Sequence, residues 1–135
     1  MDFKKLLNKE FIILDGAMGT MLQARGLKMG ETPEVLNIEK PEMLTEIHRE
    51  YIEAGADIIY ANTFGANGYK LKKTGYSVDE IIKAGIRNAR KACEGTEVLT
   101  ALDIGPIGQL LEPAGTLSFE EAYEIYKEQV IAGQD

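Results

Sequence analysis

Three short polar segments contain the residue types that can bind a small molecule. Each follows an unbroken apolar run, and in α/β folds the carboxyl ends of buried strands carry the binding sites. A carboxylate placed there can bind an ammonium group, whereas backbone N–H groups beside glycine can bind a carboxylate. The combination therefore suits an amino-acid ligand. The candidate residues are Asp15, Gly16, Ala17, Asn62, Thr63 and Asp103.

Each of these segments also has a structural interpretation. Asp15 could cap a helix that begins after the first strand, and the sequence alone does not decide between capping and binding. Asn62 and Thr63 could cap a following short helix, which the spacing alone favours somewhat. A phosphate- or nucleotide-binding α/β enzyme is the least favoured alternative, because the glycine spacing after the first strand matches neither a dinucleotide fingerprint nor a P-loop.

Three other residues with polar or reactive side chains are interpreted as structural. His48 lies inside a predicted helix, where a single histidine is usually a surface or packing residue. Cys93 lies near a helix end and is expected to be a small packing residue, not a nucleophile. As the single cysteine of the chain, it also excludes an intramolecular disulfide and a metal site built from several thiolates of one chain. Asp57 begins its strand, so it faces the end opposite the candidate site.

The elements that must position the candidate residues begin with three apolar runs. These runs lie at residues 11–14 (FIIL), 57–61 (DIIYA) and 98–102 (VLTAL), and each is followed by polar or glycine-containing residues. A short unbroken run of this kind predicts a strand that is buried on both faces.

Amphipathic helices are predicted between and after the strands. The first begins at Pro41, a residue tolerated in the first helical turn, and ends at Gly55. The next two begin at Ser77 and Ser118, each of which opens the S-x-x-E pattern of a capping box. Residues 1–10 mix charged residues with two leucines and predict a short amphipathic helix without the apolar core of a signal peptide.

Strands that alternate with helices predict a parallel sheet with helical crossovers, as an open doubly wound sheet or as a (β/α)8 barrel. The pattern A-G-x-D at residues 54–57 leads directly into a strand, and A-G-Q-D recurs at residues 132–135. We therefore expect the chain to stop just before a fourth strand. Three parallel strands would leave two unpaired sheet edges, which natural domains avoid.

Composition places the chain among ordinary globular proteins and excludes some partners. The 135 residues are 44% hydrophobic and 27% charged, enough for one domain with an apolar core or a part of one. The net charge of −7 disfavours a nucleic-acid partner, because phosphate backbones require clustered lysine and arginine. No segment approaches the roughly 20 apolar residues of a membrane span, so we expect a cytoplasmic protein with no membrane partner.

Taken together, the motifs resemble the homocysteine-binding domain of the homocysteine S-methyltransferase family, most of all that of its cobalamin-dependent members. The resemblance favours the barrel over the open sheet. It implies an α/β fold with the first three βα units of a (β/α)8 TIM barrel, truncated before the fourth strand. Residues 1–135 would be the N-terminal portion of that domain, with no second domain. The matching segments are residues 14–22 (LDGAMGTML), 33–37 (PEVLN), 47–51 (IHREY), 54–59 (AGADII), 62–67 (NTFGAN) and 104–106 (IGP).

The resemblance also implies a reaction. In this family a zinc ion held by three cysteine thiolates binds the homocysteine sulfur and favours its thiolate form. The thiolate accepts a methyl group and methionine is formed. In the cobalamin-dependent members the donor is methylcobalamin on another module, and in relatives it is a betaine or a sulfonium compound.

Carried over to this chain, the family pattern assigns roles to the candidate residues. Asp15 would bind the homocysteine ammonium group. The backbone of Gly16 and Ala17, together with the segment at residues 62–63, would bind the homocysteine carboxylate. Asp103, which is expected near the same rim, is the remaining candidate for substrate binding.

The chain departs from the family pattern at the metal. The zinc cysteines of the family belong to later strands, beyond Asp135, and Cys93 matches none of them. We therefore expect no catalytic residue and no metal ligand in this chain, and no activity from the chain alone. The remainder of the barrel and a cobalamin module would be its partners. The alternative is a non-catalytic truncated or engineered partial barrel that self-associates through its open sheet edges.

Overall fold

The computed structural model describes residues 3–134, and helices make up most of its regular structure. The predicted N-terminal helix is present as one turn, although residues 1 and 2 lie outside the described part. In chain order the elements are α1 (Phe3–Leu6), α2 (Met18–Ala24), a 3-10 helix (Pro33–Val35), α3 (Leu36–Glu39), α4 (Pro41–Glu53), β1 (Ile58–Tyr60), α5 (Val78–Cys93), β2 (Leu99–Ala101) and α6 (Phe119–Ala132).

A small parallel sheet lies at the centre of the fold. Strands β1 and β2 pair in parallel, with Ile58 opposite Leu99 and Tyr60 opposite Ala101. Helix α5 is the crossover between them, as a strand–helix–strand unit requires. Leu14 forms a single parallel bridge to Ile58, on the other edge of β1. The α/β architecture is thus present, but three complete strand–helix units are not, because the first strand is reduced to one bridge.

The prediction that residues 11–14 are buried on both faces is wrong. Phe11 is 74% exposed and Ile13 is 54% exposed. The segment is held along one edge only, where the Ile13 carbonyl accepts hydrogen bonds from Asp57 N at 2.7 Å and Ile58 N at 3.2 Å. Among the described residues no strand pairs with its other edge, so the side chains lack the neighbours that would cover them.

The second and third apolar runs form strands that are shorter and less buried than predicted. The predictions covered residues 57–61 and 98–102, whereas β1 and β2 have three residues each. Ile59 is completely buried, but all three residues of β2 are half-buried. Ile58 and Tyr60, on the opposite face of β1 from Ile59, are half-buried, so the prediction of burial on both faces is wrong for β1 and for β2.

Asp57 connects the first segment to the start of β1. Its carboxylate forms an ion pair with Lys9 and accepts a hydrogen bond from Ile13 N at 3.0 Å. The bond from Lys9, and then that from Ile13, lower the pKa of Asp57. These contacts are structural, as expected from the position of Asp57 at the beginning of its strand.

The helix boundaries agree with the predictions because their signals are local. Ser77 Oγ accepts a hydrogen bond from Glu80 N at 3.2 Å, and Glu80 Oε2 accepts one from Ser77 N at 2.9 Å. Ser118 and Glu121 make the same reciprocal pair at 3.2 and 3.0 Å. Gly55 follows α4 with a φ of +104°, a conformation that glycine adopts at little cost.

Helix α5 has more buried residues than any other described helix or strand. It packs against α3, α4, α6 and β2, and its buried residues Ile81, Ile82 and Ala89 belong to one cluster with Ile59 of β1. Burial of each large aliphatic side chain contributes about 1.5–3 kcal/mol relative to an exposed one. The cluster therefore fixes β1, and with it the residues that follow the strand.

Candidate functional site

A cavity of about 310 Å³ lies at the carboxyl ends of β1 and β2. This is the end of a parallel sheet at which α/β proteins bind their ligands. The structure brings all the predicted candidates to the wall of this cavity, although they come from three separate parts of the sequence. These residues are Asp15, Gly16, Ala17, Asn62, Thr63 and Asp103.

Asp15 does not cap a helix. The N-cap of α2 is Ala17, which makes no side-chain capping bond, so the capping interpretation is wrong. Instead, Asp15 Oδ2 accepts a hydrogen bond from Tyr60 N at 3.0 Å, which connects it to the end of β1. Burial raises the pKa of Asp15, and the nearby charge of Asp103 raises it further. A cation beside Asp15 would stabilise the charged carboxylate and so lower its pKa, which offsets both effects.

The backbone at Gly16 and Ala17 is fixed by Tyr51 of α4. A Cβ atom on Gly16 would lie 2.9 Å from the Tyr51 ring, so only glycine fits without a shift. The Tyr51 hydroxyl donates a hydrogen bond to the Ala17 carbonyl at 2.8 Å. Among residues 3–134, the N–H groups of Gly16 and Ala17 have no hydrogen-bond acceptor. These two donors are therefore available to an anionic group in the cavity.

The side chains of Asn62 and Thr63 are engaged within the protein. Asn62 Nδ2 donates to the Pro33 carbonyl and to Asn37 Oδ1, both at 3.0 Å. Thr63 Oγ1 donates to the Asp103 carbonyl at 2.8 Å and accepts from Asp103 N at 3.0 Å. The described structure has no helix between β1 and α5, so the helix-cap interpretation is wrong here as well. Both side chains fix the wall of the cavity.

Carboxylates dominate the charge of the cavity. Asp15, Asp103 and Glu34 line it, and its described lining contains no lysine, arginine or histidine. Burial raises the pKa of Asp103 as it does that of Asp15. The arrangement suits a ligand with an ammonium group, and the available backbone N–H groups are the donors for an anionic group on the same ligand.

The sequence did not assign a role to Glu34, although it lies in the quoted PEVLN segment. Glu34 is only 5% exposed, and its Oε1 accepts a hydrogen bond from Gly65 N at 2.7 Å. The available signal was an acidic residue directly after proline, in a segment that the resemblance already marked. Phe64, which also lines the cavity, was likewise not predicted.

The residues present do not fit a zinc ion held by three thiolates. Cys93 lies at the end of α5, where its Sγ is 3.6 Å from Thr100 Oγ1, and it does not line the cavity. Burial raises the pKa of its thiol, which is the opposite of what an activated thiolate requires. Within residues 3–134 there is no group of three or more His, Cys, Asp or Glu side chains placed to hold a metal.

Related sequences include methionine synthases. The enzyme of Mycobacterium tuberculosis (strain ATCC 25618 / H37Rv) is 43% identical over 72 residues, and the match covers 49% of this chain and 6% of that protein. Methionine synthase of Mycobacterium leprae (strain TN) is 42% identical over 72 residues, with the same coverage. The chain therefore spans only a small part of these relatives.

The fold resembles that of a solved homocysteine methyltransferase. The metallated form of MmuM from Escherichia coli matches with a TM-score of 0.81 and 28% identity, over 96% of this chain and 52% of that one. Its apo form matches with a TM-score of 0.66 and 28% identity, over 95% and 46% of the two chains. The sequence model of the family described as homocysteine S-methyltransferase matches residues 12–135. Because this match covers most of the chain, the chain belongs to the homocysteine S-methyltransferase family.

Proposed function

We propose that this chain provides the amino-acid-binding half of a site at which a methyl group is transferred to the sulfur of homocysteine, with methionine as the product. One observation carries the proposal: the cavity at the strand ends combines the half-buried carboxylates of Asp15 and Asp103 with two available backbone N–H groups. Family membership makes homocysteine the amino acid that best fits this arrangement.

The ammonium group of homocysteine binds Asp15, and the charge of Asp103 adds to the attraction. Burial and the mutual repulsion of these two carboxylates raise the pKa of Asp15, so a cation between them is favoured electrostatically. The homocysteine carboxylate binds the N–H groups of Gly16 and Ala17 and the segment at residues 62–63. The two charged groups of the ligand thus have different partners in the cavity, which fixes its orientation.

The metal and the methyl donor are supplied from outside the described residues. In this proposal the zinc ligands lie beyond residue 135, and cobalamin is carried by another module of the parent protein. A bound zinc ion supplies stabilisation of the homocysteine thiolate at neutral pH. This chain binds and orients the amino-acid end of the substrate and has no transferase activity alone.

Substitution Asp15→Asn is expected to weaken binding of L-homocysteine to the chain at least about tenfold, because a charge-assisted bond to the ammonium group is lost. The measurement is an NMR titration of the isolated chain, which follows the amides of Gly16, Ala17 and Thr63. The analogue 4-sulfanylbutanoate, which lacks the ammonium group, should bind both proteins equally weakly.

Asp79→Asn is the matched control for this substitution. Asp79 is an exposed carboxylate on α5 that pairs with Lys83 on the surface, outside the cavity. The control should bind L-homocysteine as the unmodified chain does. Equal affinity of the Asp15→Asn chain and the unmodified chain, or shifts confined to other surfaces, would contradict the proposed site.

Self-association through open edges is the second candidate function, and the exposed apolar segment at residues 11–14 favours it. Phe11 and Ile13 expose more than half of their side-chain surface on a strand that is paired along one edge. On α6, Phe119 is 72% exposed and Tyr123 is 57% exposed. Unpaired strand edges with apolar side chains are templates for pairing with another chain.

Light scattering tests the self-association. The mass is expected to rise with concentration above the 14.9 kDa of one chain, and Phe11→Lys should shift it back towards that value. Met29→Lys is the control, because Met29 is 97% exposed but lies in a loop away from the edge. A constant mass of one chain at all concentrations would exclude this candidate.

The sequence predicts that the chain has neither a membrane nor a nucleic-acid partner. No helix within residues 3–134 has both the length and the apolar content needed to cross a bilayer. A cytoplasmic location, and the absence of nucleic-acid and membrane partners, remain predictions from the sequence and its net charge of −7.

A further inference from the structure

The peptide unit between Phe64 and Gly65 is held on both sides. Its carbonyl, on Phe64, accepts a hydrogen bond from Gly105 N at 3.0 Å. Its N–H, on Gly65, donates to Glu34 Oε1 at 2.7 Å. One bond comes from the loop after β2 and the other from the 3-10 helix that precedes β1 in the sequence. The turn that forms one wall of the cavity is therefore fixed by two distant segments.

The neighbours of this peptide unit pack closely against it. A Cβ atom on Gly65 would lie 2.8 Å from Glu34 Oε1, and one on Gly105 would lie 2.7 Å from the Phe64 ring and carbonyl. Such distances are shorter than van der Waals contact, so glycine at both positions permits the close approach. If the Glu34 carboxylate were removed, the restraint on one side of the turn would be lost.

The 3-10 helix holds the same turn at a second point. The Pro33 carbonyl accepts a hydrogen bond from Asn62 Nδ2 at 3.0 Å, next to the bond from Gly65 N to Glu34. The two bonds hold residues 62–65 at both ends. The bond from Gly65 N has a carboxylate oxygen of Glu34 as its acceptor. Hydrogen bonds to a charged acceptor are roughly twice as strong as neutral ones.

The carboxyl group of Glu34 is buried at the wall of the cavity. A buried carboxylate loses hydration, which is costly unless hydrogen bonds replace it. Glu34 is 5% exposed, lines the cavity and accepts its bond from a backbone N–H group. A neutral side chain could accept the same bond at lower cost, so stability alone does not explain the carboxylate.

We propose that Glu34 is a positioning residue, which holds the turn at residues 62–65 so that this wall of the cavity recognises the carboxylate of the amino-acid substrate. This inference rests on the proposed function, which assigns the substrate carboxylate to Gly16, Ala17 and the segment at residues 62–63. Glu34 acts through the turn and makes no contact with the substrate itself.

The test compares L-homocysteine with 3-aminopropane-1-thiol, which lacks the carboxylate but keeps the ammonium and thiol groups. The unmodified chain should prefer L-homocysteine. Glu34→Ala removes the acceptor and is expected to reduce this preference about tenfold. Loss of one cavity carboxylate acts on the ammonium group of both ligands alike, so it cancels in the ratio of the two affinities. Glu34→Gln, which keeps a weaker neutral acceptor, should give an intermediate preference. General damage to the fold would weaken both ligands together, so the ratio separates positioning from stability.

Hydrogen exchange of the Gly65 amide provides a second measurement that needs no ligand. Exchange at Gly65 is expected to accelerate at least about tenfold in Glu34→Ala, with core amides such as Ile82 unchanged. Glu46→Gln, an exposed carboxylate of α4, is the control for loss of one charge. If Glu34→Ala does not fold, Glu34→Gln carries both measurements.

The outcomes separate this proposal from the proposed function. If the unmodified chain does not bind L-homocysteine, the proposed function fails, and hydrogen exchange at Gly65 still decides whether Glu34 holds the turn. If L-homocysteine binds and its preference over 3-aminopropane-1-thiol is the same in the unmodified chain, Glu34→Gln and Glu34→Ala, the positioning role of Glu34 is overturned. Unchanged exchange at Gly65 would overturn it as well.

Discussion

The free energy of unfolding is expected to fall by about 2 kcal/mol between roughly pH 7.5 and pH 5 because of His48 alone, and the substitution His48→Leu is expected to abolish this loss. His48 is completely buried in α4, and among residues 3–134 neither of its ring nitrogens has a hydrogen-bond partner. Burial without a partner lowers the pKa of its imidazole to about 4. The folded protein therefore binds the proton far less readily than the unfolded chain, in which a histidine has a pKa of about 6.5.

The sign of the effect follows from these two pKa values. Above about pH 6.5 the imidazole is neutral in both states and adds no pH dependence. Below that value the unfolded chain binds a proton at His48 that the folded protein does not bind, so the free energy of unfolding falls. The loss continues until the pH reaches the folded pKa near 4, where it totals about 3 kcal/mol. Leucine has no titrating group and removes this contribution.

Chemical unfolding at several pH values measures the difference between the two proteins. Carboxylates with lowered pKa, such as Asp57, and those with raised pKa, such as Asp15, are present in both proteins and cancel in the comparison. The sequence has one histidine, so its NMR titration is unambiguous and should give a midpoint near 4. A midpoint near 6.5, or equal pH profiles for His48→Leu and the unmodified chain, would contradict the assignment.

The helices could be predicted from sequence because their signals act over one turn. Ser77 and Glu80 are three residues apart, and the two bonds of the capping box need no distant partner. The same holds for Ser118 and Glu121 at the start of α6. At these two capping boxes the signal and the structure that it specifies lie within about four residues, and the predictions were confirmed.

The strands show the limit of prediction from local sequence patterns. An apolar run predicts burial only if other elements cover it, and the run itself does not specify them. Residues 11–14 have the composition of a buried strand, but the described structure pairs them only with β1 and leaves Phe11 mostly exposed. The pattern identified an extended segment beside β1 and failed on its burial, because burial depends on residues far away in the sequence.

The structure brings the predicted site residues together at one cavity, but the interactions of their side chains were not predicted. Strand ends gather residues 15–17, 62–63 and 103 for topological reasons that the sequence pattern captures. The partners of Asn62 and Thr63 are instead 25 and 40 residues away, and no local spacing encodes such bonds. Glu34 was missed for the same reason, since its partner Gly65 is 31 residues away.

A buried network of asparagines connects α5 to the candidate site. Asn37 Nδ2 donates to the Asn62 carbonyl at 2.7 Å and to the Ile81 carbonyl at 3.2 Å. Asn88 Nδ2 donates to the Asn37 carbonyl at 2.9 Å. Gly85 of α5 lies against this network, and a Cβ atom there would be 2.7 Å from Asn37 Nδ2. The network thus depends on the absence of a side chain at one position in a helix.

Substitution Gly85→Ala is therefore expected to destabilise the protein by about 2 kcal/mol, although alanine favours a helix by up to about 1 kcal/mol over glycine. The added methyl group displaces the Asn37 amide, and each buried polar group left without a partner costs about 1–3 kcal/mol.

Gly19→Ala is the matched control, because a Cβ atom at Gly19 of α2 would meet nothing within 4 Å, and it should be neutral or slightly stabilising in urea unfolding. In an Asn37→Ala background the cost of Gly85→Ala should largely disappear, since the clashing amide is already absent. An undiminished cost in that background would show that Gly85 is required for packing against Thr63 and not for the asparagine network.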